Sequence, residues 1–245
     1  MKNSKQNQKE TQNVEQNVEQ NEEKRRAKVL QTDGMHLNRI RNALLLSLEE
    51  GELNQYALQY GYPNERLQLG KKHYDSAEGA YGEQKKKLAE QFDATRTFYE
   101  LQGRASGIHL YFGQVARIAF KNNPGILDKL FLRNRRGRSF GEWVVQTRVF
   151  YKNMFSIPSA VEVMGKFTVT KEALDAGEKL FRETLAAETR KQDAKAEAQK
   201  ATEHKQKAFK RLKEWMRRYL NVMKVALEDD PQLKEKLGII TPSEE

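Results

Sequence analysis

The chain has 245 residues, 38% hydrophobic and 32% charged, with 44 lysines and arginines against 34 acidic residues and a formal charge of +10. A mean hydropathy of −0.88 is too polar for one large spherical core and suits long helices that each bury a narrow apolar seam. The absence of cysteine excludes disulfides, thiol catalysis and thiolate metal sites, while the basic surplus favours a polyanion such as nucleic acid without requiring one.

Residues 1–31 are low in complexity, with Asn-Val-Glu-Gln occurring twice in succession at 13–16 and 17–20. Almost nothing there can be buried, so the ordering entropy is not offset and a disordered polar tail is expected. The tail lacks the apolar run of a secretory leader. No segment approaches the roughly 18 apolar residues of a membrane span, and Leu44-Leu45-Leu46 is flanked by polar residues, so a cytoplasmic location is expected.

A first helix is expected to begin near Asp33, followed by a short second helix over 53–60. Gly61 lies near its exit, where a left-handed residue without a side chain is unstrained. The third element runs over 64–122, although Gly103 and Gly107 argue against one straight helix. It ends at Lys121-Asn122-Asn123-Pro124, because proline disfavours helix at the residue before it and Asn suits the turn. A short apolar turn, Ile126 to Leu132, then folds back on the long helix.

Arg133-Asn134-Arg135-Arg136-Gly137-Arg138 forms a junction, after which the same order of elements returns. Ser139-Phe140-Gly141-Glu142 is a capping-box pattern, in which hydroxyl and carboxylate each satisfy a free amide. A short helix over 158–165 is entered through Pro158 and left near Gly165. From 170 to 228 there is no proline and only Gly177, so one long helix is expected, ending at Glu228-Asp229-Asp230-Pro231 and a turn from Leu233 to Ile239.

The return is a repeat in register. A shift of 107 positions, without a gap, places Val115, Ala119, Pro124 and Leu130 on Val222, Ala226, Pro231 and Leu237. The same shift places Leu67, Gly70, Lys72 and Tyr74 on Leu174, Gly177, Lys179 and Phe181, and Leu37, Arg41, Leu44 and Leu48 on Val144, Arg148, Tyr151 and Phe155. Amphipathic helices align in period, but shared proline and glycine positions require more. The expected organisation is therefore one repeat unit over 32–132, the arginine-rich junction at 133–138, a second unit over 139–240, and a tail over 241–245.

Two columns of seven-residue recurrence mark a coiled-coil-like seam along the second long helix. One holds Leu180, Ala187, Ala194, Ala201, Ala208, Trp215 and Val222; the other holds Thr184, Lys191, Ala198, Lys205, Leu212, Tyr219 and Ala226. Lys191 and Lys205 are poor seam residues. The stretch 189–207 is thus the weakly packed part, free to bend or to reverse as a hairpin.

Little chemistry is legible. His36, His73, His109 and His204 show neither metal-ligand spacing nor the Glu-x-x-His pairs of bundle metal sites, so no metal is expected. There is no phosphate-binding loop, nucleophile elbow or dinucleotide fingerprint, and the acidic residues single out no acid/base pair, so no catalytic residue or cofactor is expected. Two basic clusters stand out as polyanion-binding candidates. Arg133, Arg135, Arg136 and Arg138 present guanidinium forks suited to phosphate, or form a solvated linker. Lys210, Arg211, Arg217 and Arg218, with Lys205, Lys207 and Lys213, surround Phe209, Trp215, Met216 and Tyr219. Interleaved bases and aromatics can stack nucleobases, but Leu212, Trp215 and Tyr219 also continue the seam, so core packing explains the aromatics too.

The ending Ala226-Leu227-Glu228-Asp229-Asp230-Pro231-Gln232-Leu233, with Leu237-Gly238-Ile239 and the preceding Trp215 and Tyr219, resembles the C-terminus of helical bacterial proteins of unknown function. The resemblance covers about 25 residues, implies a bacterial stand-alone repeat protein, and carries over no catalytic or binding residue. The expected fold is all-α: an elongated helical bundle, coiled-coil-like, of two tandem pseudo-symmetric repeats whose long helices pack antiparallel around a four-helix-like core. The expected function is a non-catalytic scaffold or protein–protein interaction protein, self-association included. The alternative is a nucleic-acid-associated basic helical protein.

Overall fold

In a computed structural model of the protein, the described residues are 33–49, 51–133, 137 and 139–239, and all of their regular structure is helical. The expectations for the tails at 1–31 and 241–245 lie outside the described residues, as do Arg135, Arg136 and Arg138. The helices are α1 (33–48), α2 (Glu52–Gln59), α3 (Asn64–Ala119), α4 (Pro124–Lys129), α5 (Phe140–Ser156), α6 (Ala160–Gly165), α7 (Lys171–Ala226) and α8 (Pro231–Lys236). Both α3 and α7 contain 56 residues, and their ends fall 107 positions apart, as do those of α4 and α8.

Local chemistry sets the boundaries. Ser139 and Glu142 form the reciprocal capping box at the start of α5. The Asn123 side chain accepts from Ile126 N–H in the first turn of α4, behind Pro124. At the end of α2, Gly61 adopts φ +84°; its N–H donates to the Leu58 carbonyl and Tyr62 N–H to Ala57, the two bonds of a Schellman cap.

Two boundary expectations are corrected. Pro158 does not open α6: it sits in the preceding turn, Ser159 takes a left-handed φ of 62°, and the helix begins at Ala160. Nor does Gly165 supply the left-handed exit. It is the last helical residue, and a turn over 166–168 moves the positive φ to Thr168 (69°), where Val169 N–H reaches back to Met164.

The chain forms two compact units, the first built from two separate segments and the second from one continuous segment, with boundaries that differ from the halves 32–132 and 139–240. Unit 1 comprises the described residues within 1–83 and 202–245, and unit 2 those within 84–201. In unit 1, α1, α2 and the first turns of α3 enclose a core with the last turns of α7 and α8. Leu37, Leu44, Leu67 and Tyr74 meet Leu212, Tyr219, Met223, Leu227 and Leu237 there. In unit 2, α5, α6 and the first half of α7 pack with the rest of α3 and α4, placing Phe150, Tyr151, Met154 and Leu174 against Phe112, Ala116 and Leu130. Burying each such side chain contributes about 1.5–3 kcal/mol before conformational entropy is counted.

Within each unit α3 and α7 pack antiparallel. In unit 1 Tyr62, just before α3, lies against Tyr219 (5.0 Å between ring centres) and Trp215 (5.9 Å), and Tyr81 of α3 lies against the earlier Phe209 (6.3 Å). In unit 2 Phe98 meets Lys191, whereas Ile108 and Phe112 meet the earlier Gly177. Against this pair packs α1 in unit 1 and α5 in unit 2.

Neither α3 nor α7 breaks. Gly103 and Gly107 leave α3 intact, since a helix-interior glycine costs only about 1 kcal/mol against the packing of a long apolar face. The stretch 189–207 neither bends back nor reverses. Its two lysines are accommodated individually. The Lys191 ammonium lies 2.6 Å from Glu188 and 3.8 Å from the centre of the Phe98 ring; that of Lys205, itself 7% exposed, lies 2.8 Å from Asp33 Oδ2 on α1. In the column that holds these two lysines, Thr184, Ala198, Lys205, Leu212, Tyr219 and Ala226 are buried and Lys191 is half-buried.

Candidate functional site

The C-terminal part of α7 carries two chemistries on opposite sides. Phe209, Met216 and Tyr219 are buried in unit 1, and Trp215 is half-buried, stacked on Tyr219 at 5.3 Å and edge-on to Tyr62. The aromatics that alternate with basic residues in sequence therefore belong to the core. They cannot stack nucleobases without unpacking it.

The side chains facing solvent are Lys207, Lys210, Arg211, Arg217, Arg218 and Lys224, with Glu214 the acid among them. None of these six cations has an ion pair or hydrogen bond within the described residues, whereas Lys71, Arg96, Lys171, Arg182 and Lys200 are each paired with a neighbouring acid on their own helix. The face is a run of free positive charge on one helix, suited to an extended row of anionic groups. Arg39 and Arg41 of α1 are exposed as well. His36, between the two helices, is held below its ordinary pKa by burial first, then by Lys213 and Arg39, against a smaller opposing effect of Asp33. Its Nε2 is buried without a hydrogen-bond partner.

Not all of the expected basic residues join this face. Lys205 points inward to Asp33, and Lys213 is exposed beside Phe209, 5.9 Å from the ring centre. Arg133 belongs to unit 2, where its guanidinium donates to Asp128 Oδ2 at 3.0 Å. Gly137 of the junction donates its N–H to Gln146, packed so closely on Glu142 that a side chain there would clash.

A second face escapes a reading based on charge. In unit 2, Phe92, Tyr99, Leu110, Tyr111 and Ile118 of α3 are 40–64% exposed, and Gly103 and Gly107 between them have open space where a Cβ would stand. Spacings of four and seven put them on one side of α3, opposite the buried Phe98, Ala105 and Phe112. The signal was present in the sequence as an apolar stripe out of phase with the seam. Large exposed apolar residues gathered on one helix face mark an interaction surface more often than scattered ones do.

The histidines are dispersed. His109 packs edge-on against Phe150 at 5.0 Å, and His73 is half-buried. Among the described residues no group of three or more His, Asp or Glu side chains is placed to hold a metal ion, and no helix is long and apolar enough to cross a membrane. No protein-family model matches the chain, and neither a curated protein nor a solved structure shows significant similarity to it.

Proposed function

We propose that the protein is a non-catalytic helical scaffold that binds protein through the apolar stripe of α3. The observation that carries this reading is the exposure of Phe92, Tyr99, Leu110, Tyr111 and Ile118 along one helix face. The test is a photo-crosslinking amino acid placed at 99, 110 or 118 in cells that make the protein. Discrete protein adducts are expected there and not at Asn221 on α7; a stripe that yields none at any of the three positions overturns the reading.

The scaffold is read as two pseudo-symmetric halves, α1–α4 and α5–α8, in agreement with the 107-residue spacing of helix ends. Gly70 and Gly177 support it. A methyl at Gly70 would run into the Trp215 ring, and one at Gly177 into Tyr151 and Phe112. In this register the solvent faces have diverged: Phe92, Tyr99, Gly103, Leu110 and Tyr111 stand where α7 has Gln199, Gln206, Lys210, Arg217 and Arg218.

A second reading, polyanion binding by unit 1, is favoured by the six unpaired cations of α7. Since the aromatics are buried, such binding would rest on phosphate contacts and would be blind to base sequence. On duplex DNA the logarithm of the binding constant should fall linearly with the logarithm of salt concentration. Converting Lys210, Arg211, Arg217 and Arg218 to Gln should reduce that slope by roughly 3–4. No binding at low salt removes this reading.

A further inference from the structure

We infer that the α3 stripe pairs with the same stripe of a second copy, antiparallel, about a two-fold axis level with Ala105. The inference rests on the reading of the stripe as a protein-binding face and names its partner. Along that face the residues run Phe92, Tyr99, Gly103, Gly107, Tyr111 and Ile118, at successive separations of seven, four, four, four and seven. The series is the same read in either direction. Two copies laid antiparallel then set Phe92 opposite Ile118, Tyr99 opposite Tyr111, and Gly103 opposite Gly107, each contact occurring twice, as an isologous interface requires.

Charge selects the direction. Arg96, Glu100, Arg104 and Gln114 are exposed on or beside the stripe. A parallel pair in register would place Arg96 on Arg96 and Glu100 on Glu100, like charges at close range, whereas Arg104, one residue from the axis, meets its own copy in either direction. Antiparallel pairing instead puts Arg96 opposite Gln114, and Glu100 opposite Leu110. The glycines contribute at the crossing point, where the absence of Cβ atoms lets the helix backbones approach more closely than the usual 8–10 Å.

The area is sufficient. Five large side chains near half exposure leave on the order of 500 Å² on each copy. Together the two copies bury about 1,000 Å², near the lower bound for a specific interface, which places the pair in the weak, reversible class. The matching face of α7 cannot do the same, because Lys210, Arg217 and Arg218 would meet like charge. The pair therefore closes at two copies.

The test uses the full chain. Sedimentation equilibrium from about 1 μM to 1 mM should show a monomer passing to a dimer and no further, with a midpoint in the micromolar range. Tyr99→Asp with Ile118→Asp should remain monomeric throughout; both sites are exposed, and an unchanged helical circular dichroism spectrum establishes that the variant is folded. Because the protein lacks cysteine, direction is read by disulfide trapping. An equimolar mixture of Tyr99→Cys and Tyr111→Cys chains should cross-link under mild oxidation. Tyr99→Cys alone should not, since its two copies would lie about 18 Å apart along the axis. Dimers trapped by Tyr99→Cys alone overturn the antiparallel pairing. A monomer at every concentration overturns self-pairing, while photo-crosslinks from the stripe to a different protein would leave the scaffold reading standing.

Discussion

Buried hydroxyls in unit 1 are wired in series: Tyr219 donates to Ser47 Oγ at 2.5 Å, and Ser47 donates to the Ala43 carbonyl at 2.6 Å. Burial, the dominant cause, raises the Tyr219 pKa to about 12, so the phenol stays neutral and acts as a donor. The two ends of this chain are not equivalent. Tyr219→Phe leaves Ser47 bonded to Ala43 and should cost about 1 kcal/mol. Ser47→Ala strands the Tyr219 hydroxyl in the core and should cost about 1–3 kcal/mol, the larger shift in urea midpoint. At 107 positions from Ser47 stands Met154, and at the same distance from Tyr219 stands Phe112, so unit 2 closes the equivalent positions with apolar contact. His36 gives unit 1 a pH dependence. Its folded pKa is lowered, chiefly by burial, so the folded state takes up the proton less readily than the unfolded chain does. The associated stability is present above the ordinary value of 6.5 and is lost as pH falls through 6.5 toward the folded value. Unfolding midpoints at pH 7.5 and 5.5 should therefore converge in His36→Gln relative to the unmutated protein. None of this was legible in the sequence, where Ser47 and His36 sit 172 and 177 residues from the α7 side chains Tyr219 and Lys213 that act on them.

Helix ends show how far local chemistry reaches. Gly61, Thr168, Phe131 and Gly238 all take positive φ after a helix, and each is followed by a residue whose N–H closes the cap: Tyr62 to Ala57, Val169 to Met164, Leu132 to Leu127, Ile239 to Lys234. Glycine fills the position in two of the four. Thr168, β-branched at φ 69°, carries the strain that glycine avoids, which for a side chain in this region is about 1–2 kcal/mol. Thr168→Gly should accordingly stabilise the protein by up to about 1 kcal/mol, after the larger entropy of the unfolded glycine is allowed for, and Gly61→Thr should destabilise it by 1–2 kcal/mol. Opposite signs in thermal unfolding are the outcome to check. The capping box at Ser139, the proline stops at 124 and 231, and the seven-residue columns were all readable, because each depends on residues within a turn or two. The left-handed exit was misplaced to Gly165 because composition alone favours glycine there. The cap geometry around Met164 and Val169 overrides that preference.

Periodicity says which face of a helix is buried but not what covers it, and in this chain the cover is non-local. The apolar columns of α3 and α7 were legible from spacing; their division into two cores, each drawing on both sequence halves, was not. Unit 1 takes Leu37 to Ala80 from the first half and Ala208 to Leu237 from the second, and unit 2 takes Ala105 to Leu132 from the first and Trp143 to Phe181 from the second. A fragment ending at Leu132 retains α1 to α4 but loses α7 from both cores, exposing Leu67, Tyr74, Phe112 and Phe120 together. A fragment beginning at Ser139 loses α3 in the same way and exposes Leu174, Phe181, Leu212 and Tyr219. Helices gain most of their stability from such packing rather than from propensity, and α3 carries six glycines among its 56 residues. Neither fragment, 1–132 or 139–245, should therefore show a cooperative unfolding transition alone. Mixed at equal concentration they should recover helical signal and a cooperative transition whose midpoint rises with concentration, because assembly is then bimolecular. Cooperative folding of either fragment as a monomer would contradict the interleaved cores, and it would return the chain to a tandem pair in which each half is complete by itself.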